Sequence, residues 1–263
     1  MLLEGKVVIV SGIGPGLGQE LSTLAAKEGA KAVVLAARTA SKLDIAEQEI
    51  KSLGLNTKLL KVPTDISDRA QCKNLTDKTI EAFGRIDVLI NSAFDPCSYE
   101  PIDQANLDNW RYTMEVNMFG TMNLSLEAVA HMKESGGGSI VNIATMVERV
   151  PLPYQGGYAV SKAALRAATK SLALELGPYN IRANSCFMGW MWGPNVQGYV
   201  KGAAEAGGQS EEEIIADIVK NIPLGHIPED GDCAKAAIFF ASDYSKVITG
   251  AGLDVNGGQF MPA

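Results

Sequence analysis

The sequence predicts an α/β fold, a doubly wound parallel β-sheet sandwiched between two helical layers. Three observations predict it. Seven short apolar runs recur along the chain, longer stretches with helical spacing separate them, and a glycine-rich turn joins the first run to the first helix. Continuous short apolar runs read as strands buried on both faces. Strands alternating with helices imply right-handed βαβ units, and therefore parallel strands covered on both sides.

The elements follow in order. Val7 to Val10 is the first strand, and Gln19 to Lys27 has the spacing of the first helix. Ala32 to Ala36 is the second strand, followed by a helix over Ala40 to Leu53. Thr57 to Val62 and Val88 to Ile90 are the third and fourth strands. Ser139 to Ile143 and Ile181 to Phe187 continue the series, and Gly252 to Val255 closes it. The alternation spans residues 1–263 as a single domain, with one departure. Gly189 to Pro228 shows no strand pattern and contains Gly, Pro and Trp. It also holds a helix start at Ser210, with Glu213 three residues on in the capping-box position. A long segment beyond the C-terminal end of a strand in such a sheet reads as a substrate loop or lid, here residues 189–228.

Composition narrows the function. Hydrophobic residues are 46% of the chain and charged residues 20%, as in a globular protein. The formal net charge is −7 without a basic tract, a poor match to nucleic acid or an anionic membrane. The apolar N-terminal run is too short to span a bilayer, and no cleavage pattern follows it. Cys72, Cys97, Cys186 and Cys233 form no Cys-x-x-Cys pair, so they read as reduced thiols of a cytoplasmic protein. With His131 and His226 the only histidines, a His-rich metal site is excluded, and no metal is expected.

Ser11-Gly12-Ile13-Gly14-Pro15-Gly16-Leu17-Gly18 lies between the first strand and the first helix. A helix N-terminus offers free N–H groups and the positive dipole end, and glycines let a phosphate approach the backbone. The placement reads as a dinucleotide cradle built from Gly12, Ile13, Gly14, Gly16, Leu17 and Gly18. A P-loop is excluded because no Gly-Lys-Ser/Thr ending follows. The second strand ends Ala36-Ala37-Arg38-Thr39. An acidic residue there would bind the ribose hydroxyls and exclude a 2′-phosphate. Ala37 supplies none, and Arg38 can grip a phosphate, which favours NADP over NAD. The alternative is that Arg38 stacks on adenine or faces solvent. Asp65, followed by Ile66, can accept from the adenine amino group and can equally cap the next helix, a task that Ser67 or Asp68 could share, and both roles can hold in this turn.

Tyr158-Ala159-Val160-Ser161-Lys162 places Tyr and Lys at i and i+4, on one face of a helix. An ammonium near a phenol favours phenolate and lowers its pKa. Tyr158 can then exchange a proton with an alcohol or carbonyl near neutral pH. No Gly-x-Ser-x-Gly elbow is present, so a Ser/His hydrolase is a poor reading.

At this point the chain resembles the short-chain dehydrogenase/reductase family of single-domain, Rossmann-like enzymes, almost from end to end. The likeness rests on Gly12/Gly16/Gly18, Asp65, Asn91-Ser92-Ala93, Val116-Asn117 and Gly138-Ser139-Ile140-Val141-Asn142-Ile143. It continues through Tyr158 and Lys162, Ile181-Arg182-Ala183-Asn184, Thr249-Gly250 and Asp254-Val255-Asn256-Gly257-Gly258. The resemblance implies Tyr158 as general acid/base, with Lys162 holding the nicotinamide ribose and depressing the Tyr158 pKa. It implies Asn117 as the holder of a relay water. The family's catalytic Ser falls on Thr145, which keeps the hydroxyl. Asn91, Ala93, Met188 and Gly189 would contact the cofactor, along with Tyr158 and Lys162.

Departures from the family cluster on the nicotinamide side. Asn91-Ser92-Ala93-Phe94 replaces the usual Asn-Asn-Ala-Gly, Met188-Gly189 replaces Pro-Gly, and Gly193 stands where a Thr that contacts the carboxamide is usual. Phe94, Tyr99, Tyr154, Met188, Trp190, Met191 and Trp192 fall on loops at the predicted C-terminal strand edge. Of these Phe94, Tyr154, Trp190 and Trp192, together with Thr145, are candidates for an apolar substrate pocket, while Met191 reads as packing. The expected reaction moves a hydride between NADP(H) and a hydrophobic secondary alcohol or ketone. The alternatives are the NAD(H) version, or a low-turnover dinucleotide-binding sensor module. The resemblance further implies a homo-tetramer or dimer. Ala163/Ala164/Ala167/Ala168 either permits close helix approach between copies or faces the chain's own sheet.

Overall fold

The computed structural model describes residues 1–262. Its sheet contains β1 (Val7–Ser11), β2 (Ala32–Ala37), β3 (Lys58–Pro63), β4 (Val88–Asn91), β5 (Gly138–Thr145), β6 (Ile181–Met188) and β7 (Gly252–Val255). The strand order is β3-β2-β1-β4-β5-β6-β7, and every pairing is parallel. Each apolar run expected from the sequence is a strand, with ends moved by a residue or two. The fold is the three-layer αβα arrangement expected.

Burial on both faces holds for β1 and β2 but not at the sheet's edges. On β3, Lys58 and Pro63 are exposed, and on β7, Gly252 and Leu253. An edge strand lacks a neighbour on one side, and charge there opposes unwanted pairing. Lys61 of β3 binds Asp44 and Glu47 at 2.7 and 2.8 Å.

Helices α1 (Leu17–Lys27), α2 (Ala40–Ser52) and α9 (Asp230–Ala241) cover one face of the sheet. Helices α3 (Arg69–Phe83), α5 (Thr121–Glu134) and the long α6 (Gly156–Leu176) cover the other. The short α4 (Leu107–Met114) leads into α5 through a wide, π-type turn over Glu115–Gly120. On α6 the buried side is Ser161, Lys162, Leu165, Thr169, Leu172, Ala173 and Leu176. Ala163, Ala164 and Ala168 are half-buried and Ala167 is exposed.

The chain runs outward from β1 to β2 and β3, then crosses back to β4. At such a reversal the loops leaving adjacent strands part, and the crevice opens at their carboxyl ends. Segment 189–228 rises beside this edge as α7 (Pro194–Gly207) and α8 (Glu211–Val219). It has its own small apolar cluster of Val200, Ile214, Ile218, Ile222 and Ile227. The capping box at Ser210 and Glu213 is formed at both of its bonds, 3.2 and 2.8 Å. No helix among the described residues is long and apolar enough to cross a membrane.

Candidate active site

The glycine turn shows why Gly12, Gly16 and Gly18 are needed. Gly12 has φ +84, and a Cβ on it would overlap the backbone of Ala93. A Cβ on Gly18 would overlap the Gly12 carbonyl. Gly16, with φ +96, is the N-cap of α1. The N–H groups of Gln19 and Glu20 return to the Gly14 and Gly16 carbonyls, whereas those of Leu17 and Gly18 make no backbone bond among the described residues. A glycine-rich turn with free donors at a helix N-terminus fits a pyrophosphate. Ile13 points inward, buried in the core between the sheet and α1. The Lys42 ammonium reaches to 3.7 Å from the Cβ position of Gly14.

Arg38 sits exposed just beyond β2, where its Nη1 donates to the Tyr112 phenol at 3.1 Å. Asp65 is not the cap of α3. That cap is Asp68, which accepts from the N–H groups of Ala70 and Gln71. Asp65 lies three residues before the cap, and its Oδ1 accepts from the N–H and hydroxyl of Ser67 at 3.0 and 2.7 Å. Ile66 is buried under α3 and α5. The Asn91 amide is spent inside the sheet, donating to Ser125 and Asn142 at 3.1 and 2.9 Å. At this turn the chain therefore presents backbone and the small Ala93 to the crevice. Met188 is buried at the end of β6, and Gly189 packs so closely on Asn256 that a Cβ would come to 2.6 Å.

Thr145 ends β5, and Tyr158 and Lys162 lie one turn apart on α6. Packing α6 against β5 and β6 brings the three together. Lys162 is 2% exposed, and its Nζ donates to the Ile143 carbonyl at 2.8 Å. Burial lowers its pKa to about 8. Burial also pushes the Tyr158 phenol up to about 12, against the smaller opposing pull of the nearby Thr145 hydroxyl, whose Oγ1 donates to the Met188 carbonyl at 3.4 Å. This corrects the expectation that Lys162 depresses the Tyr158 pKa. Here the ammonium lies 6.0 Å from the centre of the Tyr158 ring and is turned to the Ile143 carbonyl, so desolvation dominates.

Asn117 occupies the wide turn and is fully buried. Its Oδ1 accepts from the Asp95 N–H at 2.7 Å, and its Nδ2 donates to the Asp95 carbonyl at 2.9 Å. The same Nδ2 donates to Ser161 Oγ at 2.9 Å, and Ser161 donates to the Tyr158 carbonyl at 2.7 Å. The side chain expected to hold a water thus clasps the loop after β4 to the turn carrying Tyr158 and Lys162. The Asp95 carboxylate extends the clasp to Thr113 at 2.7 Å and to the Cys97 N–H at 3.0 Å. Neither Asp95 nor Ser161 was legible as a support residue, because their partners lie far away in sequence.

The aromatic candidates divide. Phe94 is 43% exposed and meets the Tyr158 ring edge-on, 6.2 Å between centroids. Tyr154 is exposed and held at φ +67, just before α6. Trp190 and Trp192 pack partly into the small core of segment 189–228, with Trp190 tilted on Tyr199 at 5.5 Å. Met191 packs against the main core, as expected. Behind the site, Arg149 binds both oxygens of Asp254 at 2.9 Å and lies 3.6 Å over the Phe187 ring, a brace between β5 and β7 that no sequence spacing revealed.

A parallel sheet with this reversal, a glycine cradle at one strand end and a Tyr/Lys helix beside it define a nicotinamide-dinucleotide-dependent oxidoreductase. Comparison with known proteins agrees. The family described as enoyl-(acyl carrier protein) reductase matches residues 12–259. The chain belongs to the short-chain dehydrogenase/reductase family. It is 34% identical to an NADP-dependent (R)-specific alcohol dehydrogenase of Lentilactobacillus kefiri, over 97% of each chain. Its structure matches the L-sorbose reductase of Gluconobacter frateurii complexed with NADPH and L-sorbose, with TM-score 0.93 and 27% identity over 100% and 99% of the two chains. It also matches an NAD+-bound xylitol dehydrogenase, with TM-score 0.90 and 26% identity over 97% and 99%. Both nicotinamide dinucleotides therefore occur among its relatives.

Proposed function

We propose that this chain is an NADP(H)-dependent dehydrogenase/reductase acting on a hydrophobic secondary alcohol or ketone. The observation that carries the reading is the Tyr158 phenol beside the Thr145 hydroxyl, with the buried Lys162 one turn along the same helix. Gly12, Gly16, Leu17 and Gly18 would seat the pyrophosphate, Asp65 the adenine, and Lys162 the nicotinamide ribose. When bound, the nicotinamide supplies or accepts the hydride at the carbinol carbon. In the reducing direction Tyr158 Oη gives its proton to the substrate oxygen and Thr145 donates a hydrogen bond to the same oxygen. In oxidation the proton returns to Tyr158. Asn117 acts through position, holding both loop and helix in register. Phe94 and Tyr154 form apolar walls beside Tyr158, and segment 189–228 serves as the lid, its Trp190 and Trp192 braced by the segment's own core.

Arg38 supports NADP, since it is the cation at the end of β2 and no carboxylate stands at 37 to repel a 2′-phosphate. The printed name of the Lentilactobacillus relative points the same way. The partly exposed small-residue face of α6 supports assembly with further copies of the chain through that helix.

The test is an activity screen over hydrophobic ketones and alcohols with NADPH and NADH. Turnover with NADPH on apolar cyclic or aromatic ketones is expected, and turnover with neither dinucleotide would leave the binding-module reading instead. Arg38→Ala should weaken NADPH about tenfold or more and leave NADH unchanged, since a charge-assisted phosphate contact contributes ~1.5–3 kcal/mol. Equal effects on both, or none, reject the 2′-phosphate role.

Thr145 gives a separate expectation. Thr145→Val should lower kcat about a hundredfold by removing a donor to the developing oxyanion. Thr145→Ser should restore activity to within about tenfold, because the hydroxyl is what matters. A Val variant as active as the parent removes Thr145 from the mechanism.

A further inference from the structure

One carboxyl group explains why position 193 carries no side chain. Asp230 is the first residue of α9 and is 8% exposed. Its Oδ2 stands where a Cβ on Gly193 would have to be, and 2.8 Å from the Cβ position of Gly16. Gly16 is the N-cap of α1, next to the free N–H groups of Leu17 and Gly18. A carboxyl group from the last third of the chain therefore lies against the seat of the pyrophosphate.

Apart from the N-terminal ends of α1 and α9, its surroundings do not stabilise a charge. Burial acts first, Glu20 on α1 and Glu229 at the start of α9 add to it, and together they raise the Asp230 pKa to about 6. The other charged groups nearby are engaged or turned elsewhere. Asp232 pairs with Lys235 at 2.6 Å and feels His226, and Lys42 lies at Gly14. The strip from Gly189 to Pro194 brings no charge at all. A buried acid kept only for structure normally has a hydrogen-bond partner in the fold. Among the described residues the Asp230 carboxyl has no hydrogen-bond partner and no cation paired with it.

We propose that Asp230 is a positioning residue for the dinucleotide: as the neutral acid it donates a hydrogen bond to the bound phosphate, in the space that the missing side chain of Gly193 leaves. This rests on the dinucleotide reading above and adds to it a residue and a pH dependence. The negative charge of the pyrophosphate favours the neutral form of Asp230, so binding takes up a proton. Affinity is then full below the free protein's pKa. It falls as pH rises from there toward the higher pKa of the complex.

The experiment is a fluorescence titration of NADH binding from pH 5.5 to 8.5 with the wild-type chain and Asp230→Asn. NADH is chosen because it has no 2′-phosphate to titrate in this range. NADPH is run in parallel, and the ratio of the two proteins' Kd values cancels the ligand's own ionisation. Asn keeps a donor and the shape but does not titrate. The wild-type Kd is expected to weaken about tenfold from pH 5.5 to 8.5 relative to Asp230→Asn. A further variant tests the contact itself. Asp230→Ala, which keeps neither donor nor acceptor, should bind NADH about tenfold more weakly than Asp230→Asn across the pH range. A Kd ratio flat with pH, or an Asp230→Ala protein that binds as tightly as Asp230→Asn, overturns the role of Asp230 while leaving the dinucleotide site standing. Failure of both proteins to bind either dinucleotide at any pH overturns both.

Discussion

Tyr158→Phe is expected to lower kcat for ketone reduction by about 10²–10⁴-fold, with dinucleotide affinity within twofold of the parent. The substitution removes one oxygen. The ring stays packed edge-on against Phe94, and the Asn117–Ser161 link to the Tyr158 carbonyl does not involve the side chain. Thr145 keeps its hydroxyl but carries no ionisable proton to replace the phenol's. The lost quantity is thus proton transfer, and neither folding nor cofactor seating should change. Steady-state kinetics, nucleotide fluorescence and a thermal melt separate these three. Undiminished turnover rejects Tyr158 as the acid/base. The phenol's high pKa in the free protein suits proton donation, and its approach to neutrality would need Lys162 to turn from Ile143 toward the site.

Gly12→Ala is expected to abolish dinucleotide binding and to destabilise the fold by about 3 kcal/mol or more. Two effects add. The residue holds φ +84, a conformation costly to any side chain, and its new methyl would overlap the Ala93 backbone. Relief requires the ends of β1 and β4 to separate, which opens the crevice where the ligand binds. Gly84→Ala is the control. It has nearly the same φ, +79, at the end of α3, but nothing lies within 4 Å of its Cβ position. It should cost only ~1 kcal/mol, the backbone part alone. Chemical denaturation of the two variants measures the difference. Equal losses would show that the approach of Ala93 is not what requires a glycine at position 12.

Much of the site was readable because its signals are local. The glycine turn is read from its place between a strand and a helix. Tyr158 and Lys162 are read from an i, i+4 spacing that any helix converts into a shared face. Segment 189–228 is read as a departure from alternation. The errors have the same origin. Burial on both faces fails at β3 and β7 because an apolar run does not say which strand will be at an edge. The expected pKa depression of Tyr158 assumed that i, i+4 neighbours interact, but the tertiary fold offered the Lys162 ammonium a carbonyl on β5 instead. Among the caps the sequence left open for α3, the fold selects Asp68, whose carboxylate reaches the first-turn N–H groups.

The sequence alone therefore determined the class of fold, the strand and helix inventory, the cradle and the Tyr/Lys pair, since each depends on residues close together in the chain. Only the tertiary structure decided how these parts support one another. It joined Asn117 to Asp95 and Ser161, set Arg149 on Asp254, and filled the space at Gly193 with Asp230. Gly193 is the clearest case. In the sequence it is a missing threonine, whereas in the fold it is the gap a carboxyl group 37 positions later needs. Periodicity encodes which way a side chain points from its own element. What it meets there depends on how separate elements pack, and that is decided by the whole core at once.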